Sequence, residues 1–335
     1  MIWLDNARII AILAVVFLHV AGNVVTESDI GSEYWWYGNL YDSFVRWCIP
    51  VFVMISGALL LNPSKIESLR AFYAKRVSRI LIPVMFWSAV FLLRWASNSA
   101  MGDQEMLALE LLKRLLSGKP HDHMWFLYMI IFLYLFTPFF RKIVANSTRR
   151  ELVIFVVATF LISIANGIAA IKFGEPKLFI NWFLSYIPYY FLGHLVRTSE
   201  RNFPNILLLV VALLSFLLTA IGCFMLAKYK NLVSGLYFYD YLSITVVPMS
   251  ISIIYLLKTW TKPIFNEIFT KRLAALTLGV YLFHPIILDP IIAAGRGPMS
   301  FHPGLSIPAI TLFVFLLSLG VSWTISKIPY LNRTI

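Results

Sequence analysis

The sequence predicts an all-α fold: a polytopic membrane helix bundle of about ten transmembrane helices with both termini in the cytoplasm. First, 60% of its 335 residues are hydrophobic and only 13% are charged, whereas a soluble domain carries about 25% charged residues. Second, apolar stretches of roughly 20 residues, the length that crosses a bilayer, recur along the whole chain. Third, Lys and Arg concentrate in alternate connectors, and this bias orients the bundle.

Each apolar stretch is expected to be a helix, because backbone groups in lipid must be paired within the segment. The predicted spans are residues 7–25, 40–62, 80–98, 124–140, 152–171, 181–197, 204–227, 241–257, 273–293 and 306–326. We interpret the first as a retained span and not a signal peptide, since no A-x-A-like cleavage site follows it and further spans do. The spans form a single membrane domain over residues 1–335, with no fused soluble domain expected.

The distribution of basic residues gives the orientation. With a cytoplasmic N-terminus, the inner connectors carry 18 Lys and Arg residues and the outer connectors carry 8. Because this bias accounts for the formal net charge of +12, the basic balance indicates membrane topology and not nucleic-acid binding. Residues 63–79 and 103–119 are expected to form amphipathic helices at the inner and outer surface.

Arg8 and His19 in the first span form the first candidate pair. They are 11 residues apart, which at 100° per residue brings both onto one helix face, about 16 Å apart along the axis. With Arg8 at the inner surface, His19 lies near the middle of a ~30 Å hydrocarbon core. An ionisable residue at that depth indicates a functional site. The alternative is a neutral histidine that is hydrogen-bonded inside the bundle.

His284 is the second histidine predicted at this depth. It follows Arg272 by 12 residues, which is about 18 Å along the ninth span. Pro285 is expected to break the helix beside it, and Asp289 is a candidate to orient it; a histidine satisfied by the broken turn is the alternative. Cys48 and Cys223 lie in separate apolar segments, and His121-x-His123 has no third ligand at a suitable spacing. We therefore predict neither a disulfide nor a metal.

Arg76 and Arg79 are candidates for phosphate binding. At i and i+3 of a regular helix they are neighbours on one face at the inner surface. Two guanidinium groups side by side suit a phosphate or pyrophosphate. Ordinary positive-inside anchoring is the alternative, but Arg8 on the same side favours phosphate binding.

Candidate contacts to a second substrate lie at the outer surface. His123 and Trp125 open the fourth span, where we expect them to contact a polar acceptor. Asp42 and Arg46, at i and i+4 near the outer end of the second span, are further candidates for substrate binding. Since they can neutralise each other, a structural pair is the preferred interpretation of these two residues.

Taken in order, these motifs resemble the acyltransferase-3 family of ten-span membrane acyltransferases. The resemblance rests on Ile2-Trp-Leu-Asp-Asn-Ala-Arg8, the Arg8–His19 spacing, Pro50-Val-Phe-Val-Met-Ile-Ser-Gly57, Arg76-x-x-Arg79, His123-x-Trp125-Phe126 and Gly279-Val-Tyr-Leu-Phe-His284. It covers essentially the whole chain and is closest to the short members of the enterobacterial common antigen O-acetyltransferase type. Ala7 departs from the leucine that many members have before this arginine.

The resemblance implies an O-acyltransferase, foremost an O-acetyltransferase, of the bacterial inner membrane. Acyl-coenzyme A, here acetyl-CoA, would bind from the cytoplasm with its phosphates on Arg8, Arg76 and Arg79. A hydroxyl of a polysaccharide or lipid-linked sugar would approach from outside. His19 would act on that hydroxyl as general base or would carry the acyl group, and His284 would support it. No metal is implied; the chain is surrounded by membrane lipids, and an oligomer is allowed.

Two other classes of function stay open. In a transporter or flippase of a lipid-linked glycan, Arg8, His19 and Arg46 would line a path, but the inverted repeats and paired broken helices of many transporters are not found in the sequence. A structural membrane subunit is disfavoured by the two histidines at mid-depth. Hydrolysis of acyl-CoA or formation of an acetylated glycan by the purified protein separates an enzyme from both.

Overall fold

The computed structural model describes residues 1–64, 67–98, 104–173 and 182–335, without the side chains of 104–106, 166, 167 and 169–173. The chain is 82% helical, and the described residues contain no strand, which confirms the all-α fold. The helices are α1 (Ile2–Glu27), α2 (Glu33–Val45), α3 (Cys48–Leu60), α4 (Leu69–Arg76), α5 (Ile82–Asn98), α6 (Gln104–Leu116), α7 (Trp125–Asn146), α8 (Arg149–Phe173), α9 (Trp182–Thr198), α10 (Asn205–Tyr229), α11 (Leu232–Gly235), α12 (Val246–Thr259), α13 (Glu267–Ala293) and α14 (Pro303–Ile325).

Within the described ranges, seven helical segments are long and apolar enough to cross a membrane. They are α1, α2 with α3, α4 with α5, α7 with the turn before it, α10, α13 and α14. The three other predicted spans coincide with α8, α9 and α12, of which α9 has 17 residues and α12 has 14. The fold is therefore a polytopic membrane bundle, while the number of ten spans and the cytoplasmic termini stay predictions.

Helix α1 is the central element of the bundle. It packs against α2, α3, α12, α13 and α14, and its apolar residues are buried on all sides, as expected for a helix without a polar face. At its start, the Asn6 side-chain amide donates to the carbonyls of Trp260 and Lys262 at 3.3 and 2.7 Å. The beginning of α1 is thereby fixed beside the connector between α12 and α13. We call this end of the bundle the Arg8 end and the opposite one the His121 end.

Helices α3 and α9 approach each other at the level of their backbones. A Cβ atom on Gly57 would lie 1.8 Å from the carbonyl oxygen of Tyr190, and one on Gly193 would lie 1.9 Å from that of Met54. Only glycine fits at these two crossing points, which is the usual way in which membrane helices pack closely.

Two helices begin at other positions than the hydrophobic pattern predicts. Ser32 caps α2 by accepting a hydrogen bond from the amide of Trp35, so this helix begins at Glu33 and not near residue 40. Asp42 is consequently fully buried instead of lying near the outer end of the span. Ser68 likewise caps α4, so the surface helix predicted over 63–79 begins at Leu69. Helix α6 covers Gln104–Leu116 of the other predicted surface helix, 103–119; residue 103 lies outside the described residues, and the position of this helix at the outer surface stays a prediction.

Candidate functional site

Four of the six histidines of the chain lie together inside the bundle. His19 comes from α1, His284 from α13, and His121 and His123 from the turn that precedes α7. The ring centroids of His19 and His284 are 4.8 Å apart, those of His284 and His123 5.4 Å, and those of His123 and His121 4.8 Å. His284 and His123 are buried, whereas His19 and His121 are partly exposed. We call these four residues the histidine cluster.

Intrahelical hydrogen bonds fix the orientation of the first two rings. Nδ1 of His19 lies 2.9 Å from the carbonyl oxygen of Val15, and Nδ1 of His284 lies 3.2 Å from that of Val280. A carbonyl oxygen only accepts, so each Nδ1 carries the hydrogen and each neutral ring keeps its basic lone pair on Nε2. Nε2 of His284 is buried and has no hydrogen-bond partner among the described residues. The site thus contains a proton acceptor that the protein itself does not satisfy.

The helix that carries His284 is not broken at Pro285, contrary to the expectation from sequence. Helix α13 continues through both Pro285 and Pro290. A proline removes one backbone donor, but helices in membranes tolerate this loss where neighbouring groups compensate. Asp289 does not hydrogen-bond His284 either, because the Nδ1 of this ring is taken by Val280 and its Nε2 has no partner among the described side chains.

Asp289 instead meets the cluster through His121. Its Oδ2 lies 3.3 Å from Nε2 of His121 and 3.3 Å from a guanidinium nitrogen of Arg94. Nδ1 of His121 is in turn 2.8 Å from Nδ1 of His123, and the hydroxyl of Tyr281 donates to the carbonyl of His123. A chain of hydrogen bonds therefore connects Asp289 to the interior of the cluster.

A cavity of about 510 Å³ opens beside Asp289 at the His121 end of the bundle. Its lining includes Arg94, His121 and Asp289, together with Arg114, whose guanidinium lies 4.4 Å above the ring of Trp95. Aromatic walls with a few converging polar groups are typical of sites for small ligands. We call this space the outer cavity, after the side of the membrane on which the bias of basic residues predicts it to lie.

Of the four residues predicted to contact the acceptor, only His123 belongs to the cluster. Trp125 stacks on Tyr241 with ring centroids 5.7 Å apart. Arg46 pairs with Asp42, and its guanidinium lies 4.0 Å above the ring of Tyr239. Both carboxylate and guanidinium are largely buried, and a buried, mutually neutralised pair fits a structural role. Substrate binding by Trp125, Asp42 and Arg46 stays a prediction.

The three arginines predicted to bind phosphate have different surroundings. Arg8 lies 3.5 Å from the carboxylate of Asp5. Arg76 places its guanidinium 5.0 Å from the ring of Phe72, while Arg79 is exposed. The chain forms a π-helical turn over Val77–Leu81, whose i to i+5 hydrogen bonds give more residues per turn and so alter the i, i+3 relation of a regular helix. Arg76 and Arg79 are therefore not related by the regular spacing of an α-helix, and their binding of phosphate stays a prediction.

Two neighbouring basic residues at the same end already share an acidic partner. Glu67 accepts hydrogen bonds from Lys75 at 3.1 Å and from two nitrogens of Arg141 at 3.1 Å. Burial raises the pKa of Glu67, but the hydrogen bonds and charges of Lys75 and Arg141 outweigh it, and the net pKa is lowered. Within the described ranges, Arg76 and Arg79 form no ion pair, which leaves their charges for a ligand.

The sequence did not single out two members of the hydrogen-bonded chain. No role is predicted for Arg94, and in the stretch His121–Trp125 a contact with the acceptor is predicted for His123 and Trp125 alone. The His-x-His spacing at the start of an apolar span could have identified His121, because it places a second histidine beside the buried His123. Among the residues that the structure describes, no three His, Cys, Asp or Glu side chains are grouped as metal ligands.

A helical membrane bundle with ionisable residues clustered in its interior defines a membrane protein with an internal reaction or transport site. Comparison with protein families decides between these classes: the family model described as acyltransferase domain matches residues 1–327. The chain belongs to the acyltransferase-3 family and is a multi-pass membrane acyltransferase. Neither the curated proteins nor the solved structures contain a match to it.

Proposed function

We propose that the protein is an O-acyltransferase, foremost an O-acetyltransferase, that uses cytoplasmic acyl-CoA. The acceptor is a hydroxyl of a cell-surface polysaccharide or a lipid-linked glycan. The observation that carries this proposal is the contact between His19 and His284, whose rings are 4.8 Å apart. Two imidazoles with free Nε2 lone pairs inside a membrane acyltransferase are suited to proton transfer or to nucleophilic attack on a thioester.

The donor enters from the Arg8 end in this proposal. Arg8, Arg76 and Arg79 hold the phosphates of the nucleotide, and the two unpaired arginines provide the charge for them. His19 lies about 16 Å along α1 from Arg8, since α1 is a continuous helix with a rise of ~1.5 Å per residue. A thin pantetheine arm spans that distance, so the thioester reaches the histidines while the nucleotide stays at the surface.

The reaction follows one of two routes. In the first, Nε2 of His19 takes the proton of the acceptor hydroxyl, the oxygen attacks the thioester carbon, and the C–S bond breaks. In the second, Nε2 attacks the thioester and carries the acyl group before the acceptor takes it. General base catalysis contributes typically ~10²–10⁴-fold to a rate. In both routes His284 supports His19 through its contact with the ring.

The proposal includes the cellular location of the protein and its acceptor. The protein acts in the bacterial inner membrane, surrounded by lipid, as a single catalytic domain without a metal, and the fold allows an oligomer. The resemblance of its motifs to the enterobacterial common antigen O-acetyltransferase type favours a surface glycan as acceptor. The competing function is a transporter or flippase of such a glycan, for which the ionisable residues of the histidine cluster would form the path.

Reconstitution into lipid nanodiscs tests the proposal directly. The purified protein is supplied with acetyl-CoA and a lipid-linked surface glycan, and mass spectrometry follows the glycan while a thiol reagent follows the release of coenzyme A. We expect the glycan to gain one acetyl mass for each coenzyme A released. Movement of an unmodified glycan across a proteoliposome membrane, without release of coenzyme A, would establish the transporter instead.

A further inference from the structure

The hydrogen-bonded chain of His123, His121 and Asp289 is not used by the donor side of the reaction. It leads from the ring of His284 to the outer cavity, where the carboxylate of Asp289 is partly exposed. Resting on the second route proposed above, in which His19 carries the acyl group, we infer that His123 is the base that receives the acceptor's proton. His121 and Asp289 are positioning residues that pass this proton to the outer cavity, through which the sugar hydroxyl enters.

The hydrogen-bonding capacity of the three side chains supports this direction. An ionised Asp289 only accepts, so Nε2 of a neutral His121 carries a hydrogen toward it. Nδ1 of His121 then has a lone pair and accepts from Nδ1 of His123, 2.8 Å away. The basic lone pair of His123 is consequently on Nε2. A carboxylate that fixes the tautomer of a catalytic imidazole is a recurrent arrangement, here extended by one ring.

Nε2 of His123 is free to act. It is buried and has no hydrogen-bond partner among the described residues, and the same is true of Nε2 of His284. A buried polar atom without a partner is costly, typically ~1–3 kcal/mol, and therefore requires an explanation. A substrate hydroxyl that reaches Nε2 of His123 would satisfy this nitrogen by donating to it, which is the hydrogen bond that deprotonation requires.

The outer cavity has the size and chemistry for a sugar. Its volume of about 510 Å³ falls within the ~300–1,000 Å³ of sites for small ligands. Trp95 and Phe91 provide apolar surface, and Arg94 and Arg114 provide donors for the oxygen atoms of a glycan. Phe91 also contacts both His121 and His123, with ring centroids 4.7 and 5.0 Å away, so the cavity and the histidines share a wall.

The proton and electron pairs balance in this scheme. Nε2 of His123 takes the hydroxyl proton as the oxygen forms its bond to the acyl carbon and the bond between that carbon and Nε2 of His19 breaks. The Nδ1 proton of His123 moves to Nδ1 of His121, and the Nε2 proton of His121 moves to Asp289, which releases it to water in the outer cavity. The C–S bond has already broken toward sulfur in the earlier step, when Nε2 of His19 attacked the thioester, and the coenzyme A thiolate took a proton from water at the Arg8 end.

The experiment uses the full chain in nanodiscs with acetyl-CoA and the lipid-linked glycan. Asp289→Asn keeps the shape of the side chain but removes the charge that receives the proton. We expect kcat to fall at least tenfold, within the range of a lost base, with the affinity for coenzyme A unchanged. The matched control is Glu33→Gln, since the exposed Glu33 also pairs with a histidine, His302, at 3.2 Å, and neither residue belongs to the histidine cluster. This control should keep wild-type kcat.

A second variant separates proton transfer from a structural role. His121→Ala removes a ring that lines the outer cavity, and added imidazole can enter the space that the ring leaves. We expect a loss of at least tenfold in kcat and a recovery of activity with increasing imidazole concentration, whereas N-methylimidazole, which lacks the N–H, should not restore it.

Two outcomes overturn the inference without touching the proposed function. One is a wild-type enzyme that forms the acetylated glycan while Asp289→Asn and His121→Ala retain more than half of its kcat. The other is a His121→Ala variant that binds acetyl-CoA normally but whose lost activity imidazole does not restore. If wild-type protein forms no ester at all, the proposed function fails first.

Discussion

His19 owes its orientation to its own helix, because the Val15 carbonyl holds Nδ1 and leaves Nε2 for chemistry. We predict that His19→Gln and His19→Ala both abolish acyl transfer, since glutamine stays polar but does not take up a proton at neutral pH. Coenzyme A binding should be nearly unchanged, because the phosphate contacts lie about 16 Å away. Rates of glycan acetylation and isothermal titration with coenzyme A measure the two quantities. His284→Ala should cost less activity.

The contrary result is equally clear for this residue. A folded His19→Gln enzyme with more than about a tenth of wild-type kcat does not use His19 as base or nucleophile, given the usual size of that effect. The catalytic role would then pass to His284, and His19 would be a packing residue.

The sequence predicts His19 and His284 at one depth because the number of residues from the inner end of each helix gives a distance along its axis. The structure adds their ring contact, which depends on how α1 packs against α13. The contact of His121 with Asp289 could not be predicted in this way, since 168 residues separate them. Local periodicity carries no information on which helix ends meet at that separation.

At the scale of elements, the contact between α3 and α9 depends on two glycines. We predict that Gly57→Ala and Gly193→Ala each destabilise the bundle by ~1–3 kcal/mol or more, because the added methyl would overlap a backbone carbonyl of the facing helix. Backbone atoms of packed helices have no free rotation by which to yield. Thermal unfolding of the detergent-solubilised protein, followed by the fluorescence of a cysteine-reactive dye, measures the loss.

The matched control is Gly320→Ala in α14, where an added Cβ meets nothing within 4 Å. Alanine is favoured over glycine in a helix by ~0.5–1 kcal/mol, so this variant should unfold at the same or a slightly higher temperature. Equal unfolding temperatures for Gly57→Ala, Gly193→Ala and wild type would show that the two helices separate easily, contrary to the close approach described above.

The limits of helical periodicity also appear at this scale. Regular spacing predicted that Arg76 and Arg79 would share one face, but the π-helical turn at Val77–Leu81 lies between them. Such turns are rare, and they depend on packing that a sequence pattern does not encode. The helix starts at Glu33 and Leu69, by contrast, have local causes in Ser32 and Ser68, and capping rules could have located both.

At the scale of the whole molecule, composition alone was enough to predict a polytopic helical membrane protein, because lipid leaves few other structures available to a hydrophobic chain. Helix α12, with 14 residues, shows why the number of spans is harder to derive than their existence. A helix of this length does not cross a ~30 Å core by itself at ~1.5 Å per residue. Hydropathy does not tell whether the flanking turns complete the crossing.

Orientation in the membrane is the last prediction, and the bias of 18 to 8 basic residues between the two sets of connectors motivates it. We expect both termini and residues 63–79 to face the cytoplasm, and residues 27–39 and 99–123 to face outward. Arg70→Cys and Asp29→Cys test this with a membrane-impermeant thiol reagent, since both positions are exposed. The native Cys48 and Cys223 are buried, so they should give little background.

In intact cells Asp29→Cys should react and Arg70→Cys should not, whereas both should react once the membrane is permeabilised. In this orientation Arg8 and Arg76 lie on the cytoplasmic side, where the proposed donor acyl-CoA is present. The outer cavity lies on the opposite side, where the proposed acceptor glycan is present. Labelling of Arg70→Cys in intact cells would show that the orientation of the bundle is the reverse of the predicted one. The arginines would then face away from the pool of coenzyme A thioesters, and the donor route along α1 would have to be abandoned.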